Sequence, residues 1–311
     1  MSLTYPEALI VGALQGVTEL FPVSSLGHSI LLPAVVGGRW ARDLSVSAPE
    51  SPYLAFLVGL HVATALALLV FFRRDWVRIT GGLFSSIRTR RAETPDQRLA
   101  WMIVLATIPV GLTGLLLEHT FRTVLGKPVP AAIFLVLNGL ILLVGERVRR
   151  AAAAEPSAAA GAAGPAGPAA PAGSVAVLAR VDADRRLARL GFGRATLIGS
   201  AQILALLPGI SRSGVTMIAG LGRGLSHTDA ARFSFLLATP VILAAGVLKI
   251  PDLFGPLGAG IHGQVLAGSL AAFVCAYLAV RFLTRYFETR TLVPFGLYCV
   301  AAGLIGLALV A

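Results

Sequence analysis

The sequence predicts an all-α polytopic membrane protein, six transmembrane helices plus two re-entrant helical hairpins in an inverted-topology repeat. Three observations carry this. The 311 residues are 56% hydrophobic and only 13% charged, with a mean hydropathy of +0.81, whereas about a quarter of the residues of a soluble domain carry charge. Six apolar runs are long enough to cross a bilayer, which takes roughly 20 helical residues. Two further apolar regions are interrupted near the middle by polar, proline-containing motifs.

In chain order, residues 5–36 form the first interrupted region, followed by spans at about Leu54 to Phe72, Ala100 to Leu117 and Pro130 to Val148. Residues 193–221 form the second, followed by Ala231 to Lys249, Gln264 to Phe282 and Leu292 to Val310. The pieces after the breaks, Ser24 to Val36 and Ser213 to Leu221, rise roughly 14 to 20 Å as helix, too short for a bilayer core of about 30 Å. Each region is therefore expected to enter and return. The whole chain, 1–311, reads as one membrane domain with repeats at 1–150 and 186–311. Three spans per repeat is an odd number, so the second must insert upside down relative to the first. Gly12-Ala13-Leu14-Gln15 before Pro22 and Gly199-Ser200-Ala201-Gln202 before Pro208 are a faint echo of that repeat. Between the repeats, residues 151–185 read as a cytoplasmic linker; Ala151 to Ser174, nearly all alanine, glycine and proline, cannot bury a core and is expected to be disordered.

The net charge of +11 comes from arginine, since Lys127 and Lys249 are the only lysines. Arg73, Arg74, Arg78, Arg88, Arg90, Arg91 and Arg98 fall between the first two spans, which places that connection in the cytoplasm. Arg147, Arg149, Arg150, Arg180, Arg185, Arg186, Arg189, Arg285 and Arg290 then lie inside too, with the termini and the connections around Arg122 and Asp252 outside. The first hairpin enters from the external face and the second from the cytoplasmic face, so their tips can meet. Arginine placed this way anchors a membrane protein, and nucleic acid is not an expected partner. Cys275 and Cys299 sit in separate apolar runs and read as packing residues, with no disulfide. No Lys or Arg precedes Arg39, so no cleaved signal is expected.

The two motifs hold the chemistry. Gln15 and Glu19 are four apart and share a helix face. After Pro22, Ser24 or Ser25 can cap a new half-helix whose N–H groups and dipole favour an anion, and His28 follows one turn later. In the second motif Pro208-Gly209 permits a sharp turn, Ser211 or Ser213 can cap, and Arg212 adds a planar fork of donors suited to phosphate. Two positive helix ends and an arginine match a phosphate or diphosphate. Glu19 and His28 add proton transfer and Ser25 a nucleophile. Ionisable groups at membrane depth are costly, which argues function for Glu19 and Arg212. Taken singly, Ser24, Ser29, Ser213 and Thr216 have a plainer reading, because hydroxyls in membrane helices commonly bond their own backbone. His61 could face the site with Thr64 or bond a neighbouring helix, and the helix contact is preferred. Asn138 reads as interhelical glue. His119, His227 and His262 read as solvated or interfacial residues. Without an HExxH or Cys/His cluster, a dedicated zinc site is not expected.

At Gln15, Glu19, Pro22-Val23-Ser24-Ser25, His28 and Pro208-Gly209-Ile210-Ser211-Arg212-Ser213-Gly214-Val215-Thr216 the chain resembles undecaprenyl-diphosphate phosphatases of the bacitracin-resistance type. The likeness continues through Phe233-Ser234-Phe235-Leu236-Leu237 and Pro240. It implies an enzyme of the bacterial inner membrane, its active site facing outward, that removes the terminal phosphate of undecaprenyl diphosphate. That reaction recycles the lipid carrier of cell-wall synthesis and confers resistance to bacitracin. Carried onto this chain, it implies Glu19, Ser25, His28 and Arg212 as catalytic residues and Gln15, Ser24, Ser211, Ser213 and Thr216 as substrate-binding ones. It also implies dependence on a divalent cation such as magnesium or calcium, with Glu19 as a ligand. Gln15 stands where many members have glutamate, which weakens any scheme in which two carboxylates hold the metal. The expected partners are the membrane and a polyprenyl diphosphate lipid, with a homodimer left open. A transporter or lipid flippase is the competing class, since inverted repeats with broken helices are common there; the Glu/Ser/His/Arg set exceeds what binding alone requires. A lipid-phosphate type of acid phosphatase fits less well, because Ile218 stands about where its histidine belongs.

Overall fold

The structure, a computed structural model, describes residues 3–44, 52–154, 182–255 and 258–310. Its described elements are helical. In the first half they are α1 (Tyr5–Thr18), α2 (Ser25–Val36), α3 (Gly38–Asp43), α4 (Pro52–Phe71), α5 (Arg73–Thr89), α6 (Pro95–Leu125) and α7 (Pro128–Ala154). After the linker come α8 (182–188), α9 (Phe192–Ser200) continued by a 3₁₀ turn (Ala201–Leu206), α10 (Arg212–Leu221), α11 (His227–Phe254), α12 (His262–Thr289) and α13 (Val293–Val310). Six helices are long and apolar enough to cross a membrane, and they overlie the six expected runs: Tyr53–Phe71, Pro95–Leu117, Pro128–Ala152, His227–Pro251, His262–Thr289 and Val293–Val310.

The interrupted regions each fold as two short helices. Thr4 starts α1 with a capping box, its hydroxyl accepting from the Glu7 N–H while Glu7 reaches back. The chain leaves α1 at Glu19 and re-enters helix at Ser25; the cap, Ser24, has φ 68°, a conformation costing a non-glycine residue about 1–3 kcal/mol. In the second region Gly209 takes φ +113°, and a Cβ there would strike the Ala131 carbonyl. Only glycine fits that turn.

Close approach of small residues sets the packing, as expected where lipid gives no hydrophobic drive between helices. α1 lies on α12, where Gly12 and Gly16 face the backbone of Gly268 and Ala272 with no room for a Cβ. α9 lies on α6 in the same way, through Gly199 against Ala106. α7 packs on α13, where a Cβ on Gly139 would come 2.6 Å from the Gly296 oxygen, and α4 packs on α11 and α12.

Three helices, α3, α5 and α8, lie where the sequence reading had only connections. α5 buries Asp75, Ile79 and Ser86 and belongs to an ion network at the arginine-rich end. Arg78 pairs with Asp75 at 2.9 Å, Asp96 at 3.0 Å and also Asp184, and Arg232 pairs with Asp184 at 2.8 Å and Asp75 at 3.0 Å. Arg186 grips Asp229 with two bonds of 2.8 Å. Of the two readings for His227, solvated or interfacial, the solvated one is set aside: at the first residue of α11 it is 12% exposed and bonded to Glu146 at 2.7 Å. His262 is at the surface, bonded to the Leu253 carbonyl, and the His119 side chain lies outside the described residues. Cys275 and Cys299 are free, as expected. Of the region read as linker, residues 151–154 complete α7 and 182–185 belong to α8, while 155–181 lie outside the described residues.

Candidate active site

The two breaks meet. A Cβ on Gly27 would come 3.0 Å from the Gly209 Cα, so the start of α2 touches the turn before α10. The two half-helices are capped alike: Ser24 Oγ accepts from the Gly27 N–H and Ser211 Oγ from the Gly214 N–H, each at 3.2 Å. These caps use only one of the free first-turn donors of each helix, leaving the earlier N–H groups beside the junction.

Glu19, at the C-terminal end of α1, is the hub. Its Oε1 accepts from Arg212 Nη2 at 2.5 Å. Its Oε2 accepts from Gln15 Nε2 at 3.0 Å and from the Ser25 hydroxyl, and lies 3.4 Å from His61 Nε2. The side chains of Glu19 and Arg212 are 7% and 13% exposed. A charge pair this deep needs close geometry and bonded neighbours to offset desolvation, and Glu19 has both. Two atoms of the cluster are left over: Arg212 Nη1, a donor, and Gln15 Oε1, an acceptor, are buried without a hydrogen-bond partner. An unused guanidinium donor beside two helix N-termini is what an incoming anion would take.

Asn138, buried in α7, holds the two breaks in register. Its Nδ2 donates to the Pro22 carbonyl at 3.1 Å and its Oδ1 accepts the Ser211 N–H at 2.9 Å. Ser213 Oγ adds a bond to the Phe21 carbonyl at 3.1 Å and lies 3.0 Å from Ser211 Oγ. The interhelical role read for Asn138 is thus met, with the second motif as the far partner.

Of the residues expected at the site, Glu19, Ser25, Gln15 and Arg212 are brought into one cluster, and Ser24, Ser211 and Ser213 frame it. Thr216 is not; its hydroxyl returns to the Arg212 carbonyl at 2.7 Å. His28 is turned away from Glu19: Nδ1 bonds the Ser24 carbonyl at 2.7 Å and Nε2 the Tyr298 hydroxyl at 2.8 Å, the two rings stacked. The preferred reading of His61 is corrected, since its Nε2 addresses Glu19 while Nδ1 bonds the Leu57 carbonyl of its own helix. Thr64 bonds back to Leu60 and stays outside the cluster. Tyr298 was not foreseen, and a single tyrosine in an apolar run carries no signal that could have revealed it. No group of three or more His, Cys, Asp or Glu among the described residues is placed to hold a metal.

The family model described as "Bacitracin resistance protein BacA" matches residues 8–305. The chain is similar to the "Undecaprenyl-diphosphatase" of Mycolicibacterium paratuberculosis (strain ATCC BAA-968 / K-10), 69% identical over 301 residues that cover 97% of this chain and 95% of that protein. It is also similar to "Undecaprenyl-diphosphatase 1" of Frankia casuarinae, 54% identical over 97% of each chain. With "Undecaprenyl-diphosphatase 2" of Chromobacterium violaceum it shares 42% identity over 97% of each.

Proposed function

The chain belongs to the bacitracin resistance protein BacA family and hydrolyses undecaprenyl diphosphate, and from that premise we propose how the Glu19/Arg212 junction carries out the reaction. The observation that carries the proposal is the unused, buried Arg212 Nη1, at the first residue of α10 and on the guanidinium whose Glu19 partner also holds Ser25, the first residue of α2. There the terminal phosphate binds, held by Arg212 and by first-turn N–H groups of both half-helices. The prenyl tail stays in lipid.

Ser25 already donates its proton to Glu19 Oε2. As the Ser25 oxygen forms its bond to the terminal phosphorus, the bridging P–O bond breaks and the Ser25 proton passes to Glu19. The polyprenyl phosphate leaves as the phosphate anion, its charge met by Arg212 and the first-turn N–H groups. Water then attacks the phosphoserine and gives a proton to His28 Nε2, which exchanges the Tyr298 hydroxyl for the water. The Ser25–phosphorus bond breaks as Glu19 returns the first proton to Ser25, and His28 passes its proton to the departing inorganic phosphate. His61 and Gln15 hold the Glu19 carboxylate throughout, and positioning with charge neutralisation supplies most of the rate. Ser24 and Ser211, with Ser213 beside them, shape the two caps on which the phosphate rests.

A divalent cation fits this donor set. Gln15 Oε1 is a buried oxygen without a partner, adjacent to the carboxylate of Glu19, and one carboxylate completed by substrate phosphates is an ordinary magnesium environment. Glu19 and Gln15 would hold the ion, which when bound would offset the charge of the diphosphate.

The half-length of α1, α2, α9 and α10, the matched serine caps and the exchanged packing of α1 on α12 and α9 on α6 support two re-entrant hairpins in an inverted repeat. With the arginine-rich end inside, the proposed setting is the bacterial cytoplasmic membrane, the site open to the external side. Purified protein in detergent, given a short prenyl diphosphate and quenched early, should carry phosphate on Ser25. Label on His28 would overturn the assignment of the nucleophile.

A further inference from the structure

Away from the junction, the arginine-rich end carries two adjoining recesses of about 420 and 410 Å³, which share Tyr286, Thr289 and Arg290. Arg281 and Arg285 line the first and Arg150 the second. Among the described residues no carboxylate comes within 4.0 Å of Arg281, Arg285 or Arg290, Glu288 of the same helix end included, while Arg150 lies 3.6 Å from Glu146. By contrast, Arg78, Arg186 and Arg232, at the same end of the molecule, are each paired with aspartates. The first recess therefore gathers three arginines that no carboxylate contacts.

The first recess adjoins an apolar track. Leu266, Leu270, Val274, Leu278 and Phe282 succeed one another at four-residue steps along α12 and are 73%, 64%, 46%, 55% and 51% exposed. This ridge rises about 24 Å, most of the roughly 30 Å hydrocarbon core, and ends at the arginines. Leu278 and Phe282 belong to both the ridge and the first recess.

We propose that these recesses are a binding site for an anionic phospholipid of the surrounding bilayer, with its phosphate on Arg281, Arg285 and Arg290 and an acyl chain along the α12 ridge. A guanidinium cluster selects a phosphate that carries net negative charge over a zwitterionic headgroup. A soluble phosphate would leave the apolar track unused. A second copy of this chain docking by two-fold symmetry would bring the same arginine face against itself, which like charges disfavour. The inference needs only that α12 crosses the bilayer and does not depend on the catalytic assignments above.

The test is native mass spectrometry of the full-length protein, titrated in detergent with phosphatidylglycerol or with phosphatidylcholine of the same chains. Phosphatidylglycerol should bind at least tenfold more tightly, and the preference should vanish in Arg281→Gln/Arg285→Gln, with Arg290→Gln as an independent single variant. Both variants should keep phosphate release in phosphatidylcholine nanodiscs, which shows that they are folded. Equal binding of the two lipids, an undiminished preference in both variants, equal occupancy by inorganic phosphate, or a dimer that forms in place of the lipid adduct would each overturn the proposal.

Discussion

Arg212 Nη2 donates to Glu19 Oε1 at 2.5 Å across 193 residues of sequence. This bond ties the end of α1 to the start of α10 and leaves the second guanidinium nitrogen for substrate. Arg212→Ala should lower phosphate release by about 10²–10³, the usual cost of a lost charge-stabilising donor. Arg212→Lys should recover little, because a point charge cannot serve Glu19 and a phosphate together. Turnover in detergent, compared at equal monodisperse protein, reads this; a loss of only a few-fold in the alanine variant would speak against the site.

Glu19→Gln keeps the shape but leaves a buried arginine without its counter-charge, which costs about 3–5 kcal/mol in comparable pairs. The variant should be inactive and melt earlier. Adding Arg212→Gln should restore part of the thermal midpoint but no activity. If the two losses in midpoint simply add, the pair is not coupled as described.

Asn138 has no place in the chemistry, yet it spans Pro22 and Ser211. Asn138→Ala leaves the Ser211 N–H unpaired, at about 1–3 kcal/mol, leaves the Pro22 carbonyl only the weak Cys299 thiol donor at 3.7 Å, and frees the breaks to shift. The expected signature in steady-state kinetics is a fall in kcat larger than any rise in KM, with a lowered melting midpoint. Unchanged kinetics in a destabilised variant would confine Asn138 to packing.

Gly209 and Gly193 make a paired test of the turn. Gly209 has φ +113° and abuts Ala131, whereas a Cβ on Gly193 meets nothing within 4 Å. Gly209→Ala should fail to yield monodisperse protein while Gly193→Ala behaves as wild type, as judged by size-exclusion profile. Comparable profiles would show that the turn is not specified this way.

The spans were legible because a run of apolar residues has one cheap fate in a bilayer, and the motif residues because charge at that depth is costly. What each side chain touches was less legible. His61 meets Glu19 because α4 presents that face to α1, and no local pattern encodes the rotation of one apolar helix against another. His28 turns to Tyr298 for the same reason, its partner lying 270 residues away. The arginine density that marked the connection after the first span also masked α5, whose buried Asp75 and Ile79 gain meaning only once Arg78, Arg232 and Asp184 are seen around it. Asn138 was readable as a polar residue needing partners, but not as the link between the two breaks.

The most direct measurement is an experimental structure with a prenyl diphosphate whose bridging oxygen is replaced by methylene. The terminal phosphorus should lie at the junction, its oxygens within hydrogen-bonding distance of Arg212 Nη1 and the first turns of α2 and α10, with Ser25 Oγ in line for attack. An analogue bound elsewhere, with the Glu19 to Arg212 contact intact and nothing between the two half-helices, would contradict it.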